Sequence, residues 1–362
     1  MFLKPNEVAA LNKLREKINN QATVEEIAQA VDVANAEVLD KDIAAIYAGV
    51  LLANRKRLNN ACLFLDMRPY HNCAAMLSAY IKDSGSFSPA SQCFSDSRPY
   101  DIFTETAFYK AHMFNTMRII NDFAKANPPS AKEKANGGPT IVDIGSGNGM
   151  FIARVINSLA KVVELSSCHL IVVDHSQAMH EATESYCRQN VEIPLTFSHV
   201  VGRVQDLPEK TLQAELGGKN IWFINGSLSL HHMPDTDKVR VLGELKNLAP
   251  FLLITEGHAN NDITEKDSPE FVYSVATNYN YYISNVLEAP LTEADKKHCI
   301  NEFLLTEVLT MLTNDRDKRI DYHATSEQWA DYAERAGYKV AKISKAVAIP
   351  QRTITFTMQL NA

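Results

Sequence analysis

The sequence has no C-x-x-C pair, no long apolar run and no basic excess, and each absence removes a class of function. Its six cysteines (Cys62, Cys73, Cys93, Cys168, Cys187 and Cys299) are scattered singly. That argues against a zinc knuckle, a redox motif or a disulfide framework. The longest apolar run, residues 43–53, is far short of the roughly 20 residues that cross a bilayer. The opening Met1-Phe2-Leu3-Lys4-Pro5 lacks the apolar core of a signal peptide, so the cytoplasm is the expected compartment and a membrane is not an expected partner. Lys and Arg total 36 against 43 Asp and Glu, a net charge of −7. A protein that neutralises several phosphates shows a basic face, so nucleic acid is not an expected partner either. Against these absences stand 362 residues, 46% of them hydrophobic and 22% charged, enough for a packed core in one large domain or two modest ones.

Residues 1–125 read as a helical region. Val24, Ile27, Ala28 and Val31 recur at helical spacing, and Asp40 is positioned to cap the helix that follows. Residues 23–33 also resemble the first helix of a winged-helix module, against the plainer reading of an amphipathic helix. Residues 127–139 read as a linker ending in Gly137-Gly138-Pro139. Beyond it the texture changes. Strand candidates at 141–144, 170–173, 221–224 and 252–255 alternate with helical stripes such as Ile152, Val155, Ile156 and Leu159, or Val239, Leu242, Leu245 and Leu248. Strands alternating with helices predict βαβ units and a parallel sheet. Residues 262–322 break that rhythm. They are helical in pattern, tyrosine-rich and too long for a loop, and are expected to form an inserted helical cap. Thr325 and Gln328 make a capping box for a helix stopping at Gly337, and strand candidates at 339–343 and 353–359 follow.

The expected division is therefore 1–125, a helical region contributing to a cap; 126–261, the core; 262–322, the cap insertion; and 323–362, the end of the core sheet. The expected fold class is α/β: a Rossmann-like, seven-stranded, mostly parallel sheet with helices on both faces, plus a helical cap.

The strongest local signal is the run IVDIGSGNGM at residues 141–150, between a strand and a helix. Glycines there let the backbone turn tightly and let a ligand approach. The spacing is G-x-G-x-G, not the G-x-G-x-x-G of a dinucleotide site, and no Gly-Lys-Ser/Thr follows. Asp143 precedes the first glycine by two, and Asp174 ends the next strand, where a carboxylate can accept both hydroxyls of a ribose. Val204, Gln205 and Asp206 are candidates for an adenine contact. Asn225 follows the fourth strand, and His231 and His232 come just after it. Adjacent residues on an α-helix point about 100° apart, so at most one histidine is expected to face the site. A neutral imidazole suits a general base near pH 7. Glu256 or His258 would have to complete any metal site, and none is assigned.

The glycine run resembles motif I of class I S-adenosylmethionine-dependent methyltransferases. That resemblance implies that Gly145, Gly147 and Gly149 pass under the methionine part of S-adenosylmethionine and that Asp143 helps to fix it. Arg203 stands where many members carry Asp. A narrower likeness runs from about residue 85 to the end. The run INGSLSLHHMPD at 224–235 resembles the "LHHLP" block of the GRAS family, and residues 248–261 resemble its next block, with His258 in place of a second glutamate. Residues 100–109 are similar to its "D-x-F-Y-E-T-x-P-Y" block, residues 271–289 to the tyrosine-paired helix, and residues 329–337 to its final helix. Plant members of the family are transcriptional regulators on a methyltransferase-like fold with an eroded glycine loop. Bacterial relatives are regarded as small-molecule methyltransferases. The intact loop here favours the enzyme.

The sequence is thus read as a methyltransferase using S-adenosylmethionine on a small-molecule acceptor expected between the core and the helical cap, compatible with a homodimer. His231 and Glu256 are the catalytic candidates. Asp143, Gly145, Gly147, Gly149, Asp174, Gln205, Asp206 and Asn225 are assigned to the cofactor, and Tyr109, His258, Tyr281 and Tyr282 to the acceptor. The rivals are a GRAS-like ligand-binding or regulatory protein without catalysis and a nicotinamide enzyme.

Overall fold

The computed structural model describes residues 2–89, 98–135, 137–207, 214, 216, 220–349 and 352–362; Cys93 and Pro208 lie outside them. The chain forms two compact units, one from Met1–Tyr109 with Ala259–Asp321, the other from Lys110–His258 with Tyr322–Ala362.

The first unit is helical. Helices Pro5–Asn19, Val24–Glu37, Ile43–Asn54, Leu58–Asp66 and Asn72–Ser84 are followed by Arg98–Thr104, and the later segment adds Pro269–Glu288, Glu293–Cys299 and Leu305–Thr313. Thr23 and Glu26 form a reciprocal capping box, Glu26 N donating to Thr23 Oγ1 at 3.2 Å and Thr23 N to Glu26 Oε2 at 2.8 Å. No strand follows this helix before residue 140 among the described residues, so the winged-helix alternative fails. Asp40 does not cap the next helix: it accepts Asp42 N at 3.1 Å, and the N-cap position is held by Asp42, whose side chain makes no cap hydrogen bond. That helix, Ile43–Asn54, is buried on all sides as far as Ala53, so the apolar run 43–53 is the centre of a helical unit rather than a membrane segment. No described helix is long and apolar enough to cross a membrane.

The second unit is a seven-stranded sheet. β1 is Thr140–Ile144, β2 Cys168–Asp174, β3 Leu195–Val201, β4 Ile221–Ser227, β5 Phe251–Gly257, β6 Lys339–Ile349 and β7 Arg352–Asn361. Their order is β3-β2-β1-β4-β5-β7-β6. The first five strands pair in parallel, and β7 runs antiparallel to β5 and β6. Successive residues of β2 enter different cores. Ile171 and Val173 join Val241, Leu242, Leu245, Trp329 and Ala333; Leu170 and Val172 join Ile120, Phe123, Ile152, Val155 and Leu159. A strand apolar on both sides needs helices on both faces. Strand order reverses between β1 and its neighbours β2 and β4, and the carboxyl ends of strands at such a switch point form the ligand crevice of open α/β sheets.

β3 ends at Val201, and a turn running through Gly202 to Leu207 carries the adenine-contact candidates Val204, Gln205 and Asp206. The expected linker holds a short helix, Ala131–Ala135, started by Ser130 Oγ accepting Glu133 N at 3.2 Å.

Candidate active site

The loop after β1 is built from left-handed glycines: φ is 72° at Gly145, 56° at Gly147 and 81° at Gly149. Two of them are required by the protein's own packing. A Cβ on Gly145 would lie 2.4 Å from Ser229 Cβ, and one on Gly149 would lie 2.7 Å from Thr183 Cα. The helix Met150–Val162 begins directly after the loop. Thr183 Oγ1 donates to Gly147 O at 2.9 Å and Ser229 Oγ to Ile144 O at 2.6 Å, so helix and β4 segments pin the loop from two sides.

Acids and amides line the strand ends beside it. Asp143 is buried and accepts Asn225 Nδ2 at 2.6 Å. Burial pushes the Asp143 carboxyl up to about 6, and the Asn225 hydrogen bond only partly opposes this. Asn225 is fully buried, and its Oδ1 has no hydrogen-bond partner among the described residues, an arrangement costing about 1–3 kcal/mol unless a donor arrives. Asp174 accepts Ser176 N at 2.9 Å through Oδ1; no hydrogen bond from the described residues reaches its other oxygen. Gln205 is turned inward, its Nε2 at 3.4 Å from His232 O, whereas Asp206 is exposed and only its backbone is engaged, with Arg203 O at 2.9 Å.

β4 and β5 bring the histidine and the glutamate together. Leu228, which follows β4, has a left-handed φ of 53°, a strained conformation for a branched side chain. Glu256, fully buried at the end of β5, clasps that turn: its Oε1 accepts Ser229 N at 3.1 Å and Leu230 N at 2.7 Å. Its Oε2 lies 2.7 Å from His231 Nδ1. Burial alone would raise the Glu256 carboxyl. The His231 charge and hydrogen bond, with His323 and the Leu230 amide, outweigh burial and hold it below its ordinary value. An ionised Glu256 accepts the proton of His231 Nδ1, so the ring's basic nitrogen is Nε2. The residues Leu230–His232 form a 3-10 turn rather than an α-helix. The two histidine rings therefore do not part as expected; their centroids are 4.1 Å apart.

Two buried histidines beside Glu256 were missed in the sequence. His323 stacks on His231 with centroids 4.1 Å apart and planes at 20°. His112 reaches Thr355 Oγ1 at 3.2 Å and Ser227 Oγ at 3.5 Å, and burial lowers it to about 4, with Glu256 opposing. Neither has a spacing signal, because only the fold brings residues 112 and 323 to residue 256. His231, Glu256 and His323 each offer a donor atom within 4.8 Å of the others. Because these two rings are stacked face to face, no point close to both nitrogens lies in both ring planes, so the cluster suits stacking better than chelation. His258 accepts Ser326 N at 3.1 Å through Nδ1, which serves the start of the helix Ser326–Arg335.

The three tyrosines assigned to the acceptor all lie in the helical unit. Tyr109 Oη is 3.2 Å from Tyr100 Oη, and Phe108 meets Tyr281 and Tyr282 with centroids 5.6 and 5.0 Å away. Phe103 joins Tyr109 to Tyr282, so the three share one aromatic cluster.

A seven-stranded sheet with one antiparallel strand, a glycine loop after β1 and acids at the ends of β1 and β2 defines a Rossmann-like, methyltransferase-type fold. Residues 133–359 match the model of the GRAS domain family, and the chain belongs to that family. No curated protein matches it. Among solved structures it is similar to SCL7 of Oryza sativa, at 16% identity and a TM-score of 0.60, covering 99% of this chain and 100% of that one. This likeness establishes the fold and nothing about activity. Weaker likenesses are to DszA carbon methyltransferase, at 13% identity and a TM-score of 0.47, covering 93% of this chain and 70% of that one, and to magnesium protoporphyrin IX methyltransferase from Synechocystis PCC 6803 with bound SAH, at 12% identity and a TM-score of 0.39, covering 70% and 84%.

Proposed function

We propose that the protein is an S-adenosylmethionine-dependent methyltransferase of class I type that acts on a small-molecule acceptor bearing an ionisable proton. The observation that carries this reading is the buried His231–Glu256 pair, 2.7 Å apart, at the ends of the strands that also carry Asn225 and follow the glycine loop.

The residues at the strand ends fit the cofactor chemically. Asn225 Oδ1 is a buried acceptor without a donor among the described residues, suited to an ammonium group. Asp174 keeps a carboxylate oxygen for a ribose hydroxyl, and left-handed glycines leave the loop backbone without side chains. Asp143, Gly145, Gly147, Gly149, Asp174 and Asn225 would hold it, with Gln205 and the exposed Asp206 at the adenine end. When bound, S-adenosylmethionine supplies an electrophilic methyl carbon. Glu256 fixes the His231 tautomer and supports positive charge on the ring, so His231 Nε2 would take a proton from the acceptor. The helical unit is assigned acceptor recognition through the cluster containing Tyr109, Tyr281 and Tyr282. His258 is proposed in the same role, with its Nδ1 held by Ser326 N at the start of the helix Ser326–Arg335.

The test is calorimetry with S-adenosylmethionine, S-adenosylhomocysteine and NAD. Micromolar binding of the first two supports the reading; heat from NAD alone, or from none, rejects it in favour of a nicotinamide enzyme or a regulatory protein.

A further inference from the structure

Behind Asp174 runs a chain of hydrogen bonds that the methyl-transfer reading does not use. The helix Gln177–Asn190 carries His180 and Glu184 one turn apart, and β3 carries His199. His180 is 1% exposed. Its Nε2 is 3.0 Å from the backbone oxygen of Asp174, and its Nδ1 is 3.0 Å from Nδ1 of His199. His199 Nε2 in turn is 2.8 Å from Glu184 Oε2.

The proton count of this chain is decisive. A carbonyl at one end and a carboxylate at the other can only accept. Three hydrogen bonds therefore need three protons, and two neutral imidazoles carry two. The third proton belongs on the rings rather than on Glu184, because Arg188 contacts Glu184 Oε1 at 2.5 Å. That contact first, and His199 second, hold the Glu184 carboxyl below its ordinary value.

We propose that His180, His199 and Glu184 are positioning residues: with one proton shared between the two imidazoles they form a strut that holds Asp174 at the end of β2 ready for a ribose-bearing ligand. The choice of ligand rests on the cofactor reading above, while the proton count does not. As pH rises the shared proton leaves, two Nδ1 lone pairs face each other, and the bond to Asp174 O loosens.

Other titratable and charged groups lie on the elements around the strut. From the end of β2, His175 Nδ1 lies 3.4 Å from Asp174 Oδ1, and Gly202 N donates to Asp174 O at 2.8 Å. On β1, Asp143 titrates near 6. On the same helix, Glu181 accepts Gln177 Nε2 at 3.2 Å, and Arg188 sits 5.1 Å over the ring of Phe197. From the helix Met150–Val162, Arg154 is engaged with Met113 Sδ and Lys161 with Glu192.

The experiment uses the full chain. Nitrogen NMR of histidine-labelled protein without ligand, from pH 5 to 9, is expected to find one imidazolium shared by His180 and His199 that is lost at high pH. In Glu184→Gln, where the amide oxygen still accepts but the charge is gone, that loss moves to lower pH. Calorimetry with S-adenosylhomocysteine should show affinity weakening roughly threefold to tenfold between pH 6 and 8.5. His199→Phe, a change on a half-exposed edge strand, should remove that part of the slope and leave the part that Asp143 contributes. Two neutral rings at pH 6, or an unchanged slope in His199→Phe, overturns the proposal. If S-adenosylhomocysteine binds at no pH, the cofactor reading has failed, and the NMR spectrum still decides whether the strut holds its proton.

Discussion

At the scale of single residues, Glu256 carries two tasks. Its Oε1 fastens the strained turn at Leu228, and its Oε2 sets the His231 tautomer. Glu256→Gln separates the tasks. A carboxamide oxygen still accepts Ser229 N and Leu230 N, but its NH2 group then faces His231 Nδ1 and drives the ring proton to Nε2, which removes the base. Turnover should fall roughly 10²–10⁴-fold, as in His231→Ala, while affinity for S-adenosylhomocysteine stays within a few fold. Single-turnover methyl transfer beside calorimetry measures both. Loss smaller than about threefold in folded variants means that proximity alone drives transfer. Asp143 makes a second test. Its carboxyl is raised in the folded state from 3.8 to about 6, so its contribution is favourable below about pH 4 and is lost as pH rises through 6. Asp143→Asn should therefore leave stability nearly unchanged at pH 4 and increase it at pH 7.5, by at most about 3 kcal/mol. Urea unfolding at the two pH values checks the sign, and equal effects at both would show that the charge carries no penalty.

At the scale of elements, the signals readable in the sequence were those carried by neighbouring residues. The apolar runs at 141–144, 170–173, 221–224 and 252–255 are strands because central parallel strands bury both faces. β3 escaped notice because it is an edge strand with Thr196, Ser198 and His199 among its apolar residues and only Val200 buried. The glycine loop was legible as a motif, but its physical demand was not. Gly145 and Gly149 are forced by Ser229 and Thr183, which lie far along the chain and meet the loop only after folding. Gly149→Ala combines a left-handed φ with a 2.7 Å approach to backbone. It should cost roughly 2–4 kcal/mol whether or not a cofactor binds. Gly145→Ala meets a side chain instead, so Ser229→Gly should recover part of its loss in a double-mutant cycle. Additive losses would mean that the clash is relieved elsewhere. At the histidine pair the α-helical angle does not apply, because Pro234 follows so closely that only a 3-10 turn forms.

At the scale of the whole molecule, the two units are interleaved in the chain, yet one probe separates them. Both tryptophans, Trp222 and Trp329, belong to the sheet unit and are buried, Trp222 Nε1 donating to Asn127 O at 2.8 Å. Tryptophan fluorescence therefore follows the unfolding of the sheet unit, whereas helical circular dichroism follows both units. A ligand that binds only the folded state stabilises by about 2.7 kcal/mol at one hundred times its dissociation constant. S-adenosylhomocysteine at that level should raise the fluorescence midpoint by several degrees, and NAD should not move it. Asp174→Ala removes a charge-assisted contact worth roughly 1.5–3 kcal/mol, so at the same ligand concentration most of the rise should disappear while the ligand-free midpoint changes little. The family membership leaves catalysis and pure recognition both open, and this measurement bears on the step they share. A rise seen in dichroism but absent from fluorescence would put the ligand in the helical unit and remove the cofactor assignment from the glycine loop. A fluorescence rise abolished by Asp174→Ala, in a protein that then transfers no methyl group to any acceptor offered, would leave a sensor built on an intact cofactor site.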